Sequence, residues 1–214
     1  MTPSQIETAA RNLLNANGSS FWSSDEIIGT YLYMAALELA SETFCIENRY
    51  ETSSVANQQE YAKPSRMLAV KRIEFDGEKL KPISLQRLDS IDLNSNTTVT
   101  GTPQYYAFFD SSIILYPTPS TADLTITIYS YDEPSVPTST STLEVPSRFH
   151  GYLVIGTAYY MSLKELGHPH VIRLEGQWIN AVRRARASVK MFNKDNFHVV
   201  LREQDQPQTP LGMV

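Results

Sequence analysis

Cysteine, glycine and long apolar runs are all scarce in this chain of 214 residues. The single cysteine, Cys45, excludes an internal disulfide, and together with four scattered histidines it completes no zinc framework. No stretch approaches the ~20 apolar residues of a membrane span, and residues 1–14 lack the basic start and apolar run of a signal peptide. We therefore expect a soluble protein that is made in a reducing cytoplasm and contacts no membrane.

Sequence motifs of enzymes are also missing. The nine glycines form neither a GxxxxGK[ST] loop nor a GxGxxG loop, and GxSxG and HExxH do not occur. His168 and His170 flank a proline between two predicted helices, with no cysteine or acidic cluster beside them, so solvated turn histidines are favoured over a metal site. We expect no cofactor, no metal and no catalytic residues, with an uncharacterised hydrolase as an alternative because missing motifs are weak grounds.

The composition supports a substantial core. Hydrophobic residues make up 42% of a 24.1 kDa chain, and a chain of this size buries roughly 70% of its unfolded surface. Wholesale disorder is excluded, and the length fits one large domain or two small ones.

Apolar residues at helical spacing predict four helices, two near each end of the chain. The first covers residues 3–16 and the second continues from Ser23 to about Arg49, with Ser23 and Glu26 in capping-box positions. The third and fourth cover about residues 148–166 and 171–194. In the fourth, one narrow apolar stripe lies opposite a polar face.

Between residues 51 and 131 the apolar period falls toward two, which indicates strands. Asp76 and Gly77 predict a tight hairpin between residues 68–75 and 78–84, and residues 110–112 join a second hairpin. Residues 134–142 are a Pro/Ser/Thr-rich linker. The predicted fold class is α+β: a four-helix bundle formed by the N- and C-terminal helix pairs (1–50 and 143–195), an inserted antiparallel β lobe (51–142) and an extended C-terminal tail (196–214).

The fourth helix concentrates positive charge. Six basic residues oppose Glu175 alone within residues 171–194, giving +5 and leaving −10 on the rest of a chain of net charge −5. A solvated basic face and favourable helix-end charges compete with an anionic partner, either nucleic acid or an acidic surface of another copy. No aromatic residues interleave on this face as a single-strand binder requires, and no recognition motif surrounds it, so sequence-specific binding is not expected. The candidate electrostatic contacts are Arg183, Arg184, Arg186 and Lys190.

Two further segments are candidate contact surfaces. In the strand at residues 124–131, Thr and Tyr occupy one face, which is either a solvated sheet surface or a contact with another protein; the candidate contact residues are Tyr129, Tyr131 and the hairpin residue Asp110. The C-terminal tail is either disordered or docks on another subunit. Its candidate contact residues are Phe197, Val199, Leu201, Leu211 and Val214.

The order of these signals resembles the head-to-tail adaptor proteins (connectors, or head-completion proteins) of tailed bacteriophages. The resemblance covers most of residues 21–167 and rests on fold-determining patterns, not on a catalytic signature. The matching segments are FWSSDEIIGTYLYMAALELA, YAKPSRMLAVKRIEFDGEKLKPIS, GTPQYYAFFDSSIILYPTPSTADLTITIYSYDEPS and LEVPSRFHGYLVIGTAYYMSLKELG.

Similarity to this family implies a structural virion protein in the neck between head and tail. It implies a homo-oligomeric ring, typically of twelve copies, bound beneath the portal protein. In such a ring the apolar residues of the C-terminal tail are expected to dock on the portal or a neighbouring copy, and the Thr/Tyr strand face to contact a subunit or a tail protein. Such a ring extends the channel for double-stranded DNA without reading its sequence, and offers a platform to tail or neck proteins. The alternatives are a DNA-binding or packaging accessory protein that uses the basic helix directly, and a neck or tail-completion protein further from the capsid.

Overall fold

The computed structural model describes residues 1–92, 99–165 and 168–192, which form a mixed α+β protein. The first helix, α1, spans Pro3–Leu13. Thr2 caps it in a reciprocal capping box with Gln5, and Pro3 suits the first turn because its missing N–H would have no partner there. The helix ends before the predicted residue 16, because Asn15 adopts a left-handed φ of 53°.

The second helix, α2, is built of three consecutive segments, Ser24–Glu26, Ile27–Leu32 and Tyr33–Thr43, the middle one with π-helical hydrogen bonding. The Ser23 hydroxyl accepts a hydrogen bond from the Glu26 amide at 3.2 Å, which confirms the predicted start. The predicted continuation to Arg49 is wrong. Phe44 takes a left-handed φ of 53°, and the following segment Glu47–Ser53 is strand β1. This strand spans the predicted lobe boundary at residue 50.

A first sheet of four antiparallel strands follows. Its order is β1, β10 (Thr125–Asp132), β3 (Met67–Phe75) and β4 (Glu78–Lys79). Asp76 and Gly77 both have positive φ, 48° and 83°, as a type I′ turn between β3 and β4 requires. The first predicted hairpin is therefore confirmed, although its second strand is shorter than expected.

A second sheet lies in the order β2 (Glu60–Ala62), β8 (Ser112–Tyr116), β7 (Tyr105–Phe109) and β5 (Lys81–Pro82). The β7–β8 hairpin is confirmed, with Asp110 at a left-handed φ of 49°. The lobe is not wholly antiparallel, because β5 pairs parallel to β7, and β6 (Thr100–Gly101) pairs parallel to β9 (Thr118–Pro119).

The two sheets enclose one core. Ile73, Phe75 and Ile128 of the first sheet share a buried cluster with Tyr106 and Leu115 of the second. A short helix, α3 (Leu85–Asp92), covers the outer face of the second sheet by packing its buried leucine against β7 and β8. The β region is thus a two-sheet sandwich covered by a helix. The second sheet is buried on both faces, by the first sheet on one side and by α3 on the other.

The C-terminal helices are α4 (His150–Lys164), after a single 3₁₀ turn at Ser147–Phe149, and α5 (Val171–Phe192). Helix α4 contacts α1, α2 and α5. Gly156 lets three helices meet, because a Cβ there would lie 2.7 Å from the Trp178 ring and 2.9 Å from the Ala35 Cβ. One oxygen of Glu38 on α2 accepts hydrogen bonds from the Tyr160 hydroxyl and from Trp178 Nε1, both at 2.6 Å. Burial, together with the Glu38 carboxylate, raises the pKa of Tyr160.

The predicted linker between the lobe and α4 has no helix or strand over residues 134–142, as expected. It is nevertheless attached to the lobe. Arg66, in the β2–β3 loop, donates to both carboxylate oxygens of Glu144 at 2.9 and 3.0 Å, and its carbonyl accepts from the Glu133 amide at 2.8 Å. The Ser135 amide also donates to Glu144, at 2.9 Å. These bonds fix the return of the chain to the helices.

Candidate interaction surfaces

Helix α5 divides into a buried stripe and an exposed outer face. Trp178, Val182, Ala185 and Val189 are buried as predicted from their spacing, whereas the side chain of Phe192 lies outside the described residues. The outer face carries two apolar residues that the charge pattern alone did not single out. They are Ile172, which is 83% exposed, and Ile179, which is 43% exposed.

The predicted electrostatic contacts on α5 are exposed but not equivalent. Arg186 lies 3.3 Å from Glu42 on α2, an ion pair in which both side chains are more than half exposed and which contributes little to stability. Within residues 1–92, 99–165 and 168–192, no acidic side chain forms an ion pair with Arg183, Arg184 or Lys190. Together with Ile172 and Ile179, these three basic residues make up what we call the α5 outer face. Its chemistry suits a partner that presents both acidic and apolar groups.

The outer face of the first sheet is polar and internally neutralised. Tyr129 lies under two guanidinium groups, with its ring centroid 4.1 Å from Arg72 Cζ and 5.8 Å from Arg49 Cζ. Hydrogen bonding to Tyr129 raises the pKa of Arg72. Each guanidinium also pairs with a glutamate on its own strand, Glu74 or Glu51. The face around Tyr129 therefore carries no uncompensated charge.

Tyr131 shares the alternation of Tyr129 but is covered, since it is only 1% exposed. Its ring packs 5.4 Å from that of Phe44, and the Lys71 ammonium lies 5.8 Å from its centroid. The register of β10 and β3 shifts between Tyr129, which pairs with Arg72, and Ser130, which pairs with Val70. Lys71 is therefore the extra residue of a bulge in β3, and its side chain lies over Tyr131. The burial of Tyr131 thus depends on residues outside β10, so the pattern of β10 alone does not predict it.

The β7–β8 hairpin presents Asp110 at its tip, beside two exposed aromatic rings. Phe108 is 41% exposed and Phe109 57% exposed. The turn chemistry of the sequence indicates Asp110 but not these phenylalanines, although their place directly before the turn is itself a signal. An exposed aromatic pair beside a turn is typical of protein contacts.

A polar pocket of about 420 Å³ opens where the helices meet the lobe, and sequence reasoning missed it because its walls come from distant segments. Asn48 of the pocket lining donates from Nδ2 to the buried carboxylate of Asp132 at 3.0 Å, and this carboxylate also accepts from Ser130 Oγ at 2.6 Å and from the Tyr50 hydroxyl. Burial raises the pKa of the Cys45 thiol, so it is a poor nucleophile. The pocket lining is Cys45, Ile46, Glu47, Asn48, Arg66 and Glu144.

The remaining predicted contacts lie outside the described residues: Phe197, Val199, Leu201, Leu211 and Val214. Across the described part of the chain, no three histidine, cysteine, aspartate or glutamate side chains come together as metal ligands. Over those same residues, no helix is both long enough and apolar enough to cross a bilayer.

The surfaces described above are exposed helix, sheet and hairpin faces on an α+β scaffold, of the kind through which proteins contact other macromolecules. The sequence model of the SU10 adaptor protein family matches residues 1–207, and the chain belongs to that family. No curated protein matches it. The family is one of phage head–tail adaptors, which confirms the family resemblance seen in the sequence and makes the protein a structural component of the virion.

Proposed function

We propose that the protein assembles as a ring of about twelve copies beneath the portal, where it extends the DNA channel and provides the attachment platform for tail proteins. Family membership supports the adaptor role. The main support for assembly into a ring is the α5 outer face. Arg183, Arg184 and Lys190 are exposed without ion-pair partners in the described structure, beside Ile172 and Ile179. Their natural counterpart is an acidic surface on the next copy, since the chain outside this helix is strongly negative.

The proposed scaffold of this ring is a four-helix bundle of α1, α2, α4 and α5, with the β sandwich as an inserted lobe. Contacts of α4 with the three other helices support this arrangement. The bonds of Arg66 to Glu144 support a fixed position of the lobe, which suits a platform that must hold tail proteins in a defined orientation. The exposed Phe108, Phe109 and Asp110 at the hairpin tip, and Tyr129 on the first sheet, are the proposed contacts of the lobe with a subunit or tail protein.

The direct test is the mass of the purified protein alone and mixed with the portal protein, by native mass spectrometry, with rings viewed by electron microscopy. A ring-sized complex that includes the portal is expected. A monomer under both conditions contradicts the proposal. A ring that joins tail proteins but not the portal indicates instead a neck or tail-completion protein further from the capsid.

The role of the basic residues is tested by Arg183→Gln combined with Arg184→Gln. Ring or portal association is expected to weaken at low salt, with the difference from wild type shrinking as salt screens the charges. The matched control is Lys79→Gln combined with Lys81→Gln, which removes two exposed charges from the lobe. If the two double variants weaken assembly equally, or if neither changes it, the α5 charges serve only to keep the helix soluble.

DNA binding is the second candidate function, because the same exposed arginines suit a phosphate backbone. Gel-shift titration with double-stranded DNA separates the two. An adaptor is expected to bind DNA only weakly and to lose it as salt rises, whereas an accessory protein that acts on DNA directly shifts it at physiological salt.

The C-terminal tail is proposed to dock on the portal or on a neighbouring adaptor through its spaced apolar residues. Deleting residues 200–214 is expected to weaken portal association and to leave the fold intact. Portal binding at wild-type affinity by the truncated protein contradicts this docking.

A further inference from the structure

The connection between α1 and α2 contains the single Asn-Gly pair of the chain, Asn17 and Gly18. Across this pair the Ser19 amide donates to the Ala16 carbonyl at 3.2 Å, and Gly18 has a positive φ of 75°. A turn of four residues with positive φ only at its third residue is a type II turn. Both Asn17 and Gly18 are exposed, so water reaches the side chain and the backbone of the pair.

The backbone amide of Gly18 is open to reaction. In a type II turn the N–H of the third residue takes no part in the hydrogen bond that closes the turn. Within residues 1–92, 99–165 and 168–192, no group accepts a hydrogen bond from the Gly18 amide. The space beside it is also open. Apart from its chain neighbours, no heavy atom of these described residues lies within 4 Å of a Cβ built at Gly18.

Two other exposed asparagines with positive φ, Asn15 and Asn57, lack this combination. The residue after Asn15 is Ala16, whose amide donates to a backbone carbonyl at 2.9 Å. The residue after Asn57 is Gln58, whose amide likewise donates to a backbone carbonyl, at 3.1 Å. Each of these following residues also carries a Cβ, which obstructs the approach of its own nitrogen to the asparagine side chain. The structure therefore separates Asn17 from both.

We propose that Asn17 is a site of spontaneous deamidation, and that the isoaspartate product loosens the connection between α1 and α2. The Gly18 nitrogen loses its proton to hydroxide and attacks Cγ of Asn17. The N–Cγ bond forms, the Cγ–Nδ2 bond breaks, and the side-chain nitrogen takes up a proton and leaves as ammonia. One water molecule then opens the cyclic succinimide. Opening at Cγ gives aspartate, and opening at the backbone carbonyl gives isoaspartate, in which the chain continues through the side chain.

Both products change the contacts of this connection. Asn17 Nδ2 donates to Asn12 Oδ1 at 2.6 Å, and this donor is lost. The new carboxylate lies just beyond the C-terminal end of α1, where the helix dipole disfavours negative charge.

Isoaspartate also adds a methylene to the backbone of a segment that Arg11 holds against α1. Arg11 Nη1 donates to the Ser19 carbonyl at 3.3 Å and Nη2 donates to the Trp22 carbonyl at 2.8 Å. We expect isoaspartate to weaken these two bonds and aspartate to leave them in place. Because the proteins of a virion are not renewed after assembly, the change accumulates with the age of the particle.

Incubation of the purified full-length protein in neutral and mildly alkaline buffer, followed by peptide mass spectrometry, tests the site without portal or ring. Asn17 is expected to convert about tenfold or more faster than Asn15 and Asn57, whose following amides must first open. Conversion is expected to accelerate with pH, because the deprotonated amide is the nucleophile. Equal conversion of the three asparagines overturns the proposal. So does an Asn17 that stays intact in the native protein but reacts in urea, since the fold then protects it.

Thermal unfolding measures the loosening. Protein in which isoaspartate predominates at residue 17 is expected to melt about 2–4 °C below fresh protein, the shift that losing about one hydrogen bond causes in a chain of this size. Asn17→Asp, which has the charge without the extra methylene, is the matched control and is expected to lower Tm by less than half as much. Asn17→Gln closes the ring far more slowly and is expected to keep its Tm on incubation. An equal change of Tm in incubated wild type and Asn17→Gln overturns the loosening, and none of these outcomes depends on whether the protein forms a ring.

Discussion

Removing the Glu38 carboxylate is expected to destabilise the contact between α2, α4 and α5. Its Oε2 atom accepts from both Trp178 Nε1 and the Tyr160 hydroxyl at 2.6 Å. Trp178 is 1% exposed, so its N–H has no access to water when this acceptor is lost. Tyr160 is only half-buried, and its hydroxyl can be hydrated instead.

The magnitude follows from these environments. A buried donor left without a partner costs about 1–3 kcal/mol, and a hydrogen bond to a charged group contributes about 1.5–3 kcal/mol. Because water replaces part of the Tyr160 bond, we expect Glu38→Ala to lower the free energy of unfolding by about 3 kcal/mol. For a domain of this size that corresponds to a fall in Tm of about 6–12 °C. Glu38→Gln keeps an acceptor oxygen and is expected to cost about half as much.

Urea unfolding followed by tryptophan fluorescence measures these differences, with Tyr160→Phe completing a double-mutant cycle. Tyr160→Phe is expected to cost about 1 kcal/mol alone and almost nothing in the Glu38→Ala background, because the shared acceptor is already gone. A loss below about 1 kcal/mol for Glu38→Ala, or full additivity of the two substitutions, refutes the shared-acceptor reasoning.

Two further substitutions probe the helical packing. Gly156→Ala is expected to destabilise the fold by about 1–3 kcal/mol in urea unfolding, because the new Cβ meets Trp178 and Ala35; Gly151→Ala in the same helix, with open space around it, is the control and is expected to be neutral or slightly stabilising. A hydrogen bond from Lys164, and to a smaller extent one from Tyr31, lowers the pKa of Glu26. The stability that these bonds contribute is therefore fully present above the ordinary pKa of 4.5 and is lost as the pH falls through the lowered pKa. Lys164→Met is therefore expected to cost up to about 1 kcal/mol at pH 7 and less near pH 3, and a pH-independent difference contradicts this.

Local sequence signals located most elements because their causes are local. The Ser23 side chain accepts a hydrogen bond from a free backbone amide at the start of α2. Asp76 and Gly77 adopt the two positive φ angles of a tight turn. The buried stripe of α5 follows directly from spacing. The end of α2 is predicted too late in the chain. The segment ENRYETS forms a strand only because it pairs with β10, some eighty residues away.

The candidate surfaces show the same division. The sequence located the basic residues of α5 and the hairpin residue Asp110, since charge and turn chemistry are visible in one dimension. It did not separate Tyr129 from Tyr131, because their different burial depends on Phe44 and on the displaced Lys71. Nor did it indicate that Ile172 and Ile179 are exposed, which depends on the side of α5 that α2 and α4 occupy.

The sequence by itself determined the α+β class, the helix starts, the hairpin turns, the segregation of charge and the resemblance to head–tail adaptors, because each depends on residues near one another in the chain. Only the tertiary structure decided how β4 and β5 divide between two sheets, how three helices meet at Gly156 and Glu38, and that Tyr131 is buried against Phe44 and Lys71. These features depend on which distant segments pack together, and packing is set by complementary shape and hydrogen bonding across the whole fold.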